Sequence, residues 1–74
     1  MPREITIADF LTDAEIRRAK ALYRRYKDSG EFASKLAAEL IEPNMVRING
    51  QLGQENDARY LAYAVEYVFS QAGI

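Results

Sequence analysis

A helix over residues 56–72 would carry apolar side chains on two opposite sides, and that constrains this chain more than any other feature. At 100° per residue, Leu61, Ala64, Val65, Val68 and Ala72 form one stripe, while Tyr60, Tyr63 and Tyr67 fall on nearly the opposite side. A chain of 74 residues has little material with which to cover both. The pattern therefore predicts one of two arrangements. In the first, the last helix is central, with its phenol hydroxyls reaching the rim for water or a polar partner. In the second, the tyrosines are rigid amphipathic residues of a contact surface.

About half of the residues are hydrophobic, enough for an ordered core, although a domain of this length buries only about 60–65% of its unfolded surface. There is no cysteine and no histidine, so thiolate metal sites, disulfides and the usual near-neutral acid–base group are excluded. No apolar run reaches the length of a membrane span, and the first residues lack the pattern of a secretion leader. The expected location is cytoplasmic. The net charge is −1, yet the charges are unevenly placed: six basic residues and no acid lie between Arg17 and Lys27. The rest of the chain holds four basic and all 11 acidic residues.

Thr12-Asp13-Ala14-Glu15 has the form of a capping box, with Leu11 and Ile16 placed as a hydrophobic staple. Ile16, Ala19, Leu22, Tyr23 and Tyr26 then repeat at threes and fours, and Asp28-Ser29-Gly30 supplies a stop, which predicts a first helix over 13–28. Upstream, Thr6-Ile7-Ala8-Asp9 either caps one extra turn or, with Ile5 and Ile7 alternating, forms a short extended arm. Phe32, Leu36, Leu40 and Ile41 give a second stripe, continued by Met45, Ile48 and Leu52 across Pro43. Because proline lacks the amide proton and crowds the preceding turn, the helix over 31–50 is expected to be kinked or broken there. Asn56, followed by Asp57, is placed to cap the last helix, and Gly73 to end it. No strand alternation, repeat or long linker is present. The expected fold is all-α: a small bundle of three helices, or four with a break at Pro43.

The basic residues of the first helix, Arg17, Arg18, Lys20, Arg24, Arg25 and Lys27, could hold phosphates, an anionic surface or an acidic partner, or simply form a solvated face. A helix-turn-helix reading fails on charge, since the would-be recognition helix over 31–42 offers Lys35 against Glu31, Glu39 and Glu42. The polar segment Asn49–Asp57 lacks the Gly-Lys-Ser/Thr ending of a phosphate loop and the alternating carboxylates of a calcium loop, and reads as a turn and cap. Ser29, Ser34 and Ser70 have no lysine three residues on, and the pairs Asp9/Asp13 and Glu39/Glu42 are ordinary for exposed helices.

These patterns point away from catalysis, cofactors and metals. They lead to a small protein–protein interaction module, an adaptor, inhibitor or regulatory subunit, that pairs with itself as a homodimer or with another protein. Its contact residues are expected to be Tyr60, Tyr63 and Tyr67, with Phe69 as an addition. The alternative is nucleic-acid or anionic-surface binding through the basic face of the first helix.

Overall fold

Thr12 starts the first long helix by a reciprocal exchange with Glu15. The Thr12 hydroxyl accepts from the Glu15 amide at 3.2 Å, and the Thr12 amide donates to the Glu15 carboxylate at 2.9 Å. In the computed structural model, which describes residues 6–74, this helix is α1, Asp13–Tyr26. It ends two residues earlier than its apolar rhythm predicts, because residues 27–30 form a turn closed by Gly30 at φ +74°. Upstream, Ile7–Asp9 is a single 3-10 turn, with the Thr6 amide donating to the Asp9 carboxylate at 2.8 Å. The extra-turn reading holds there; Ile5 of the alternative arm lies outside the described residues.

The second apolar stripe forms α2, Phe32–Leu36, then a π turn, Ala37–Ile41, then a 3-10 turn, Glu42–Asn44, and then α3, Met45–Leu52. Pro43 has no N–H to continue the regular ladder, so the backbone first widens and then tightens while remaining in helical turns. The Leu40 carbonyl accepts from the Asn44 side-chain amide at 2.7 Å. Gly53, at φ +73°, ends α3. The last helix is α4, Ala58–Ala72, and its cap is Asp57, not Asn56: the Asp57 carboxylate accepts from the amides of Arg59 at 2.7 Å and Tyr60 at 3.4 Å. Asn56 instead donates its backbone amide to the Asn49 side chain at 3.0 Å, which ties the loop to α3.

Among the described residues there is no strand, and the chain is a small all-α helical bundle. Its centre is a triangle of rings from three helices. Tyr23 of α1 meets Phe32 of α2 edge-on at 5.0 Å and Phe69 of α4 at 5.5 Å, and the two phenylalanines lie 6.0 Å apart. Leu36, Ile41, Ile48, Leu61 and Val65 fill the space around them and are fully buried. A polar link fastens the far side of α1. The Arg47 guanidinium on α3 donates to both oxygens of Glu15 at 2.7 Å and to the Phe10 carbonyl at 3.2 Å.

Candidate protein contact surface

α4 turns Leu61, Ala62, Val65 and Phe69 inward, a phase set by the Phe69 ring between Tyr23 and Phe32. Two sequence expectations need correction here. Val68 and Ala72 are not in the core: Val68 is 37% exposed and Ala72 is exposed, while Ala62 and Phe69 take the inner positions. Phe69, at 1% exposure, is therefore not a surface residue and is no part of a contact face. The reason lies in the helix itself, which is apolar around most of its circumference, so periodicity alone left its rotation undetermined.

Tyr60, Tyr63 and Tyr67 point away from that core, at 62%, 51% and 65% exposure. At 100° per residue, Tyr63, Tyr67, Tyr60, Ala64 and Val68 sweep a continuous arc of about 140°, and Gln71 is the one polar residue within it. Along the Tyr63 edge of the arc lie Arg59 and Glu66, about 20° apart around the helix and seven residues apart along it. Neither makes a side-chain hydrogen bond or ion pair among the described residues. The face is thus aromatic in the middle and charged on one rim. Chemically it offers ring area and hydroxyl groups able to donate or accept, with few rotatable bonds to immobilise. Val46, on α3, is the other large apolar residue open to solvent among the described residues.

The basic residues of α1 divide into two rows. Arg17, Lys20, Arg24 and Lys27 share one side by helical spacing, and Arg18 and Arg25 the other, with exposed Ala21 between them. Five of the six are exposed, and Lys20 is partly buried. Arg18 lies 3.9 Å from Glu39, Arg25 sits over the Tyr26 ring at 5.3 Å, and Lys27 reaches the Ile74 carbonyl at 3.3 Å. Arg17, Lys20 and Arg24 make no ion pair among the described residues. Glu39 and Glu42 are exposed, and Asp9 is engaged by the Thr6 amide. No grouping of three or more acidic side chains able to hold a metal ion occurs among the described residues, and none of their helices is long and apolar enough to cross a membrane.

The segment Asn49–Asp57 is held by its own side chains. Asn49 accepts from Asn56, and the Asn56 side chain donates to the Gln54 carbonyl at 3.1 Å. Asn49, Gln54 and Asn56 thereby close the turn, and Asp57 caps α4. Comparison with known proteins finds no matching family model, no matching curated protein and no matching solved structure.

Proposed function

We propose that this protein is a small non-catalytic interaction module whose contact surface is the outer face of α4, centred on Tyr60, Tyr63 and Tyr67. One observation carries the reading: three tyrosines, neighbours at helical spacing, are each at least half exposed while Leu61, Ala62, Val65 and Phe69 on the opposite side of the same helix are buried. Tyrosines combine large area with little conformational entropy to lose, which is why they concentrate at binding surfaces. A second copy of the chain is the simplest partner, because two-fold symmetry supplies a matching aromatic face. Acting as an adaptor, inhibitor or regulatory subunit, the protein would occupy or bridge other proteins through this face, in the cytoplasm. Light scattering over a concentration series tests it. The mass is expected to rise toward a dimer, and Tyr63→Glu to hold it at the monomer without changing the helical circular dichroism; a wild-type monomer throughout would remove the homodimer.

A second reading rests on Arg17, Lys20 and Arg24, three cations without an ion-pair partner among the described residues. With Arg18, Arg25 and Lys27 they could hold a nucleic-acid backbone or another anionic surface. Titration with a generic RNA at rising salt decides this, since phosphate contact must weaken steeply as salt increases. No binding at low salt would eliminate the nucleic-acid form.

A further inference from the structure

The order of side chains along the outer face of α4 is self-complementary in one direction only. Place a second copy of α4 antiparallel against the first, with the two-fold axis crossing between Tyr63 and Ala64. Tyr60 of each copy then comes level with Tyr67 of the other, and Tyr63 comes level with the other copy's Ala64, a large side chain beside a small one on the opposite flank. An antiparallel two-fold keeps equivalent rims on the same side. Arg59 of one copy therefore faces Glu66 of the other, offset by about 3 Å along the axis at 1.5 Å per residue, within reach of both side chains. The ion pair forms twice. In a parallel two-fold pairing the equivalent rims fall on opposite sides, so Arg59 and Glu66 of one copy would face the Val68 edge of the other and not each other.

We infer that a second copy of the chain occupies this face, in an antiparallel two-fold register with paired Tyr60–Tyr67 contacts and reciprocal Arg59–Glu66 ion pairs. The inference rests on the reading of α4 as a contact surface and adds the partner's orientation. Charge complementarity argues for it, since Arg59 and Glu66 have no side-chain partner among the described residues, and each meets its opposite when the two copies run antiparallel and not when they run parallel. Area sets the strength. An aromatic side chain buries about 150–250 Å², so six rings, each half to two-thirds open, bring on the order of 700 Å². A specific interface needs roughly 1,200 Å² or more, of which Val68, Ala64 and the rim side chains supply a further part. The dimer is weak and reversible, and rim charges bear on it measurably.

The experiment is sedimentation equilibrium on the full chain at low salt, from about micromolar to millimolar concentration. It compares wild type, Tyr63→Glu, Arg59→Glu, Glu66→Arg and the double exchange Arg59→Glu/Glu66→Arg. The antiparallel register predicts that each single exchange weakens the dimer about five- to tenfold, because two like-charge contacts replace two ion pairs, and that the double exchange restores it. Thermal melts of dilute single exchanges should match wild type, which keeps loss of fold separate from loss of pairing. A dimer abolished by Tyr63→Glu but indifferent to both single exchanges overturns the antiparallel register and leaves the contact surface standing. A wild-type chain that stays monomeric up to millimolar concentration overturns the second copy as occupant altogether.

Discussion

Phe69 and Val68 are neighbours in sequence and 100° apart around α4, and that step decides which side of the helix is hidden. Phe69 completes the ring triangle with Tyr23 and Phe32, so truncation would open a cavity that three helices cannot close together. Phe69→Ala is expected to destabilise the fold by about 3–5 kcal/mol, a large share of what a domain of this size possesses, as read by chemical denaturation. Tyr67→Ala, only two positions earlier, removes an exposed ring and should change monomer stability by no more than about 0.5 kcal/mol. If Tyr67→Ala proved as damaging as Phe69→Ala, the assignment of inner and outer faces would be wrong. The tyrosine stripe was legible in the sequence because its three members share one spacing. The place of Phe69 was not, since it follows from contacts with rings 37 and 46 residues away that no local pattern records.

Helix ends were legible where one capping pattern stands alone, and not at α4, where Asn56 and Asp57 compete and the contact that takes up Asn56 comes from Asn49, seven residues away. The Thr12/Glu15 exchange occupies four consecutive residues and forms as its sequence requires. The partner that then grips Glu15, Arg47, is 32 residues away and no sequence signal marks it. Arg47→Met should cost about 1–3 kcal/mol, discounted toward the lower end because the arginine is more than a third exposed. A double-mutant cycle with Glu15→Gln should return a coupling of at least about 0.5 kcal/mol, and additivity would show that the contact contributes nothing. Pro43 gave the opposite kind of difficulty. Its chemistry dictates an interruption, but whether the chain breaks or only changes pitch depends on what meets the displaced carbonyls, here the Asn44 side chain on Leu40. Asn44→Ala is expected to lower stability by about 1 kcal/mol, with the loss of amide protection around residues 40–45 as its signature.

Taken whole, the molecule puts its apolar material into one core and has some left over. The all-α class followed from periodicity, capping and stop signals, each repeated along the chain and each pointing the same way. What the sequence could not decide was whether α4 is central or peripheral, because that depends on how far α1 and α2 reach around it. Together with the Ala37–Ile41 turn they enclose Leu61, Ala62, Val65 and Phe69 and leave Tyr60, Tyr63 and Tyr67 open. The uneven charge gives the bundle a basic α1 exterior, distinct from the aromatic face of α4, and a salt-sensitive anion interaction would be read there and not at the tyrosines. The most direct measurement of the main claim is a dilution series followed by the ring resonances of the five tyrosines in solution NMR. Concentration-dependent shifts at Tyr60, Tyr63 and Tyr67, with Tyr23 and Tyr26 unmoved, are what self-pairing through the outer face of α4 predicts. Shifts confined to Tyr23 or Tyr26, or none at any tyrosine up to millimolar concentration, would contradict it.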